Sequence, residues 1–459
     1  MKDERRLTTA PISGLIREMT IPVSIGMFFN TMYNVVDTWF GGLISTQAQA
    51  AMSLSLPVFF IIISIGSGIG TGATALIGSA LGAGNRAAAR QYAVQAILFG
   101  GFMSVILAVV GMAMAPHLFT LLGATDAYLD ICLIYMSILF QGTLFFILIY
   151  MLNAVLNAMG NTRTYRNFLI AGFLMNVGLD PWFIFGGFGV PPMGVAGIAL
   201  ATVVVQVIGT LYLGQVVFRT GMISFRRVRD WMPRMESFKE IAAQGLPAGL
   251  NILTIALGVF VITYFVGHYG KEAVAAYGIG MRVEQMVLLP VIGFHVTTLT
   301  LVAQNHGAGR YDRVVETVRK TLRYGGIMMA AGTLVVWTGA EKFMAIFSRD
   351  PAVVRIGASY LKIDAWVLYA YVVLFISVAA LQGMKKPAFA VYMGIFRQIA
   401  APTAIFYLVT RKWQLGVTAI WWGIFGITWT ATAIAFWYSQ KIIGRLSEVT
   451  VKSEHGRAN

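Results

Sequence analysis

Apolar runs of twenty or more residues, separated by short polar turns, recur along the entire chain. A helix needs roughly 20 such residues to cross the hydrocarbon core of a bilayer. Twelve runs meet that length: 14–40, 50–78, 91–115, 127–157, 163–187, 192–218, 240–268, 274–304, 316–340, 355–382, 386–410 and 417–442. The pattern predicts an all-α membrane protein with twelve transmembrane helices, several of them long enough to tilt or protrude.

The pattern also repeats. Pro22 and Pro247, Gly42 and Gly267, Ala48 and Ala273, and the triplets Gly82-Ala83-Gly84 and Gly307-Ala308-Gly309 all stand 225 residues apart. GNTRTYRNF (160–168) and GMKKPAFAV (383–391) agree at an offset of 223. Six helices per half is an even number, so both halves enter from the same side and their pseudo-twofold axis runs along the membrane normal. Secondary transporters place a central cavity between halves of this kind. The expected organisation is a cytoplasmic N-terminus (1–13), a six-helix bundle (14–218), a cytoplasmic linker (219–239), a second six-helix bundle (240–442) and a cytoplasmic tail (443–459).

Composition excludes a set of soluble domains: 58% of residues are hydrophobic, 12% are charged, and the mean hydropathy is +0.74. The net charge of +15 is a topology signal and not a nucleic-acid footprint. With both termini in the cytoplasm, 25 of the 34 Lys and Arg fall on the cytoplasmic side and 7 on the other, as the positive-inside rule requires. The start MKDERRLTTAPISG is too charged for a removable signal peptide, so the first helix is expected to stay. The single cysteine, Cys132, allows no intramolecular disulfide.

Polar residues inside the apolar runs are the candidate chemistry. Asp37 follows Asn30 and either Tyr33 or Asn34 at three- and four-residue spacing, which puts them on one face of the first helix. Asn176 and Asp180 form a second stripe, four residues apart. Asp37 lies 20 residues beyond Arg17 and Asp180 lies 17 beyond Arg163. At about 1.5 Å per residue, both carboxylates reach roughly 25–30 Å from the cytoplasmic side and fit one shared site. A lone carboxylate in a bilayer costs about 3 kcal/mol or more. Two at one depth, with amide and hydroxyl oxygens, suit a proton site or a Na⁺ site, with Asp37 and Asp180 as the metal ligands in the second case. Pro22 interrupts the helix that carries Asp37 and is a candidate hinge.

Elsewhere, Gln141, Asn153 and Asn157 join Tyr135 on the fourth helix as candidate cavity residues. In the second half, Arg282, Glu284 and Arg397 read best as an internal ion pair, because buried charges persist when paired. Asp364 faces the position of Gln141 in the repeat and reads either as a cavity residue or, with Lys362 two positions away, as a residue near the outer surface. An enzyme is disfavoured. The five histidines are scattered, and neither an HExxH nor a GxxxxGK[ST] motif occurs. GSGIGTGATALIG reads as a helix whose small residues permit close packing.

PVSIGMFFNTMYNVVDTWFGG (22–42), GIGTGATALIGSALGAGN (68–85), NVGLDPWFIFGGFGVPPMGVAGIALATV (176–203) and RVEQMVLLPVIGFHVTTLTLVAQNHGAGR (282–310) together resemble the multidrug and toxic compound extrusion (MATE) transporters, in particular the prokaryotic DinF-like branch. The resemblance spans about residues 14–442. It implies a V-shaped pair of bundles in the inner (plasma) membrane. It further implies export of organic, mainly cationic compounds in exchange for H⁺ or Na⁺, by a monomer without a cofactor or nucleic-acid partner. The coupling residues it implies are Asp37, Asp180, Asn176, Tyr135 and Thr202, and Pro22 falls on the family's bending proline. The seventh helix lacks the acid that another branch carries. A lipid-linked saccharide flippase of similar architecture is the alternative.

Overall fold

The computed structural model describes residues 6–225 and 228–458. Residues 1–5 of the expected cytoplasmic N-terminus, Arg226 and Arg227 of the linker, and Asn459 lie outside the described residues. Among the described residues there is no β-strand, only an isolated bridge between Gly187 and Val190.

Among the described residues, nine spans are long and apolar enough to cross a membrane. They comprise α2 (Ile12–Ile44), α3 (Thr46–Gly82), α4 (Arg86–Leu121), α7 (Arg163–Phe185), α8 (Val195–Arg219), α9 (Met235–Val266), α10 (Lys271–Gly307), the segment Ala388–Lys412 built from α14 (Ala388–Ile395) and α15 (Ala401–Tyr407), and α16 (Val417–Ala458). A short α1 (Arg6–Thr9) precedes them.

Two further spans are bent pairs. The predicted helix 127–157 is α5 (Asp126–Gln141) and α6 (Thr143–Ala158), meeting at 46°. The predicted helix 355–382 is α12 (Pro351–Asp364) and α13 (Val367–Gly383), meeting at 49°. Each bend has a local cause. At Gly142 a Cβ would stand 2.5 Å from a Val203 methyl, so the bend sits where α8 comes closest. At the second, the Thr333 hydroxyl donates to the Ala365 carbonyl (2.7 Å) and diverts it from the helical ladder.

The twelfth span is α11 (Tyr311–Phe347), 37 residues long, whose Gly, Thr and Trp residues dilute its hydropathy. The segment Ala388–Lys412 carries π-helical turns at Phe396–Ala400 and Leu408–Lys412. Pro402 removes a ladder donor between them, and widened turns absorb the misfit.

The chain divides into two compact units, Ile25–Gly249 and Met1–Ser24 with Leu250–Asn459. The boundaries fall inside α2 and α9 and not at the linker 219–239. Small residues explain this. In the first unit, Gly68 and Gly72 of α3 meet Gly249 and Gly245 of α9 so closely that a Cβ on Gly68 would lie 2.3 Å from the Gly249 nitrogen. In the second unit, a Cβ on Gly293 of α10 would lie 2.6 Å from the Ser24 hydroxyl and 2.7 Å from the Thr20 carbonyl of α2. The Thr20 and Thr297 hydroxyls are 3.0 Å apart beside it. Gly293 is the 225-residue image of Gly68, and Gly245 and Gly249 are the images of Thr20 and Ser24. The repeat is thus a repeat of helix crossings as well as of sequence.

Polar anchors hold the leading segments in the same exchanged arrangement. The Gln95 amide donates to the carbonyls of Asp230 (3.1 Å) and Met232 (2.8 Å) and accepts from the Arg234 N–H (2.8 Å) ahead of α9. Arg313 donates to the carbonyls of Ala10 (2.6 Å) and Leu7 (3.4 Å) ahead of α2. Repeat-related glycines close the loops that follow α3 and α10. Gly84 (φ +73°) and Gly309 (φ +69°) adopt left-handed backbone and let the Asn85 and Arg310 N–H groups each reach a carbonyl five residues back, at 2.9 Å. The lone thiol, Cys132, is buried in the apolar core of the first unit.

Placing a side chain in the α3–α9 crossing should cost about 1–3 kcal/mol of overpacking. Gly68→Val is expected to lower the Tm of the detergent-purified protein clearly. Gly178→Val, at a position with open space around its Cβ, should change it little. Equal Tm values for the two variants would remove this crossing from the account of the fold.

Candidate cation site

Four helices of the first unit deliver the acids and their companions to one place. Asp37 comes from the part of α2 that belongs to this unit, Asn176 and Asp180 from consecutive turns of α7, Thr202 from α8 and Tyr135 from α5. The four-residue spacing of Asn176 and Asp180 stacks them on one helix face.

The Asn176 amide is the hub. Its Nδ2 donates to Asp37 Oδ1 at 2.8 Å and to Asp180 Oδ1 at 3.0 Å, bridging the two carboxylates. The Thr202 hydroxyl lies 3.5 Å from Asp37 Oδ2 while donating to the Ile198 carbonyl at 3.1 Å. Asn176 and Asp180 are fully enclosed, and Asp37 retains 7% of its surface. Tyr135 packs on Phe40, Met52, Ile184 and Ile198 and lies within electrostatic range of both acids. Among the described residues, no Lys, Arg or His forms an ion pair with either carboxylate.

Asp180 Oδ2, Asn176 Oδ1 and the Tyr33 hydroxyl are buried in this cluster without a protein hydrogen-bond partner. Buried polar atoms are normally paired, so three open oxygens beside two carboxylates leave room for one positive charge. A proton held between the acids fills that need, and so does Na⁺, a hard cation that takes carboxylate, amide and hydroxyl oxygens. The donor set fits either.

The spacing argument left Tyr33 and Asn34 as alternatives, and the geometry favours Tyr33. Asn34 is exposed and donates to the Asn30 carbonyl at 2.7 Å. Asn30 and Gln141 are exposed as well, whereas Asn153 is half-buried and Asn157 buried. None of these five bonds a member of the acid cluster. Pro22 sits within the continuous helix α2, two residues before that helix passes from one unit into the other.

The second unit holds a cluster that sequence reading undervalued. The Tyr360 hydroxyl donates to Glu284 Oε2 at 2.6 Å. Asp364, for which the sequence leaves a cavity position and an outer-surface position both open, is buried, and neither of its carboxylate oxygens has a partner among the described residues. Among the described residues, Arg282, Glu284 and Arg397, expected to pair, make no ion-pair contact within 4.0 Å, although Arg397 lies within electrostatic range of Glu284. Arg282 is exposed, Glu284 is engaged by Tyr360, and the Arg397 guanidinium stacks 5.3 Å from the Tyr371 ring centroid. The repeat carried a signal for this cluster, because Tyr360 is the 225-residue image of Tyr135.

The MatE family model matches residues 22–182 and 247–405, one match in each half of the sequence repeat. Similar proteins include the FAD transporter of Shewanella oneidensis, 27% identical over 87% of this chain and 88% of that protein. The probable multidrug resistance protein NorM of Thermotoga maritima is 26% identical over 89% and 88% of the two chains. The multidrug export protein MepA of Staphylococcus aureus is 24% identical over 92% and 93%. Among solved structures, MATE in the bent conformation superposes with a TM-score of 0.91 at 22% identity, covering 98% of this chain and all of that one. A MOP superfamily transporter from Pyrococcus furiosus gives 0.90 at 22% identity over 97% and 99%. These likenesses establish the twelve-helix fold.

Removing the hub should be felt as lost stability. Asn176→Ala leaves two buried carboxylates without their shared donor, at a cost of about 1–3 kcal/mol. A lower Tm is expected than for Asn34→Ala, which removes only an exposed hydrogen bond. Indistinguishable Tm values would contradict the hub role.

Proposed function

The chain belongs to the MatE family, and we propose that it is a secondary active multidrug exporter. It expels organic, mainly cationic compounds by antiport with H⁺ or Na⁺. The observation that carries the reading is the pair Asp37 and Asp180, enclosed in a membrane-spanning unit, bridged by one amide and without a basic partner. Relatives named for multidrug resistance and multidrug export support the cargo class.

In this reading Asp37, Asp180, Asn176, Tyr135 and Thr202 form the coupling site. A proton or Na⁺ entering from outside offsets one negative charge of the pair and draws the oxygens of Asn176 and Thr202 around it. Asp37 rides on α2, so its position changes with occupancy. Pro22 supplies the break in the ladder that lets the Asp37-bearing part of α2 move against its leading part, which is packed on Gly293 in the other unit. Movement of one part of α2 then alters access to the substrate path. Coupling needs an ion that arrives, neutralises and leaves, and two acids without a resident counter-charge meet that need. Asn30, Asn34, Gln141, Asn153 and Asn157 remain proposed substrate contacts.

The protein is a multi-pass membrane transporter. We place it in the inner (plasma) membrane with both termini cytoplasmic, working as a monomer and without a cofactor. A flippase for lipid-linked saccharides needs basic groups for phosphates, and the coupling unit offers paired acids instead.

Reconstituted vesicles loaded with ethidium and given an imposed ion gradient test the reading. Wild-type protein should drive ethidium against its own gradient, and Asp37→Asn should abolish coupled movement while the purified protein stays folded. Full coupled transport by Asp37→Asn would overturn the site. Repeating the assay without Na⁺, and again with the proton gradient collapsed, identifies the coupling ion, since only removal of the true driver stops transport.

A further inference from the structure

The repeat gives the acid site an image in the second unit, and the image has the opposite character. At an offset of 225, Asp37 corresponds to Ile262. At 223, Asn176 and Asp180 correspond to Ile399 and Thr403. Met193-Gly194-Val195 matches Leu415-Gly416-Val417 at 222, which carries Thr202 to Ile424. Both carboxylates are gone. In their place is a cavity of about 30 Å³, lined by Ile262 and Ile424 together with Tyr371, Arg397, Gln398 and Thr428.

Arg397 lies near the middle of the membrane span Ala388–Lys412, where an unanswered charge costs about 3 kcal/mol or more. It lies over the face of Tyr371 and within electrostatic range of Glu284, but no hydrogen bond from its guanidinium is found among the described residues. Neither Glu284 nor Asp364 comes within ion-pair distance of it, and neither lines the cavity. The five N–H donors of a guanidinium form a planar fork matched to carboxylate and phosphate oxygens. The buried side chains of Gln398 and Thr428 supply further donors beside it. The widened π-helical turn at Phe396–Ala400 is what presents Arg397 and Gln398 together on this wall.

We propose that this cavity takes an anionic group, a carboxylate or phosphate, of the transported molecule, with Arg397 as its bidentate partner. A space of about 30 Å³ holds roughly one or two water-sized groups. It therefore seats one or two oxygens of such a group while the body of the ligand lies outside. The exporter thus handles zwitterions and aromatic acids as well as cations. This assignment deepens the exporter reading and rests on it for the source of the ligand, since an inorganic anion offers the same chemistry.

Binding to the full-length protein in lipid nanodiscs separates these cases without any ion gradient. The probe is norfloxacin, which carries a carboxylate, compared with its methyl ester. Arg397→Gln should weaken norfloxacin binding at least tenfold and leave the ester unchanged, and Arg397→Lys, which keeps the charge but loses the fork, should fall between. Equal loss for both probes would make Arg397 a counter-charge for Glu284 and Asp364 and overturn the proposal, as would no loss for either. A chloride-dependent rise in Tm that Arg397→Gln abolishes, with norfloxacin binding unaltered by the variant, would assign the cavity to an inorganic anion and reject the cargo. Arg397→Lys supplies the same comparison should Arg397→Gln fail to fold. Asp37→Asn is expected to retain carboxylate-selective binding, so failure of the coupling assignment and failure of this one read differently.

Discussion

The free-energy cost of a carboxylate in a low-dielectric interior is the constraint on which the first unit depends. Asp37 and Asp180 are kept because four helices converge to enclose them and one amide satisfies an oxygen of each. A basic residue in the cluster would have quenched the pair permanently, as buried ion pairs do. Its absence leaves the countercharge to come from solution. Enclosure by neutral donors and a demand for a mobile cation are therefore two sides of the same arrangement.

That arrangement acquires mechanical meaning through α2. The helix carries Asp37 in one unit and packs its leading turns on Gly293 and Thr297 in the other, with Pro22 close to the point of transfer. The repeat builds the same crossing from α9, Gly68 and Pro247, so both halves exchange the start of their first helix. Small residues make the exchange possible, since Gly68 has no room for a Cβ. The anchors from Gln95 and Arg313 fix the segments that lead into each exchanged helix.

Much of this was legible in the sequence, for identifiable reasons. Twelve spans follow from hydropathy because lipid forces every backbone group to pair inside its own segment. The acid site follows from spacing, since a period near four residues puts Asn176 above Asp180 whatever the surroundings. What escaped depends on long-range contacts. The bends at Gly142 and Ala365 are set by Val203 and Thr333 from other helices. The unit boundaries at Ser24 and Gly249 follow from crossings that hydropathy does not encode. An Arg282–Glu284–Arg397 ion pair is what the rule that buried charges persist when paired suggests. The tyrosines decided otherwise, Tyr360 taking Glu284 and Tyr371 taking the face of Arg397.

Duplication also explains why the positions related to the acid pair differ in chemistry between the two units while the backbone plan is shared. A repeat preserves the places where helices meet, because packing fixes them, but it leaves the side chains that face an internal space free to diverge. In the first unit that space acquired two acids. In the second the corresponding positions became Ile262 and Ile424, and a guanidinium entered from one turn of a helix loosened by π-helical geometry. A cation exchanged for cargo needs acids, whereas cargo that itself bears an acid needs a base out of their reach. Two copies of one bundle offer both, because the arginine stands in one unit and the Asp37–Asp180 pair in the other.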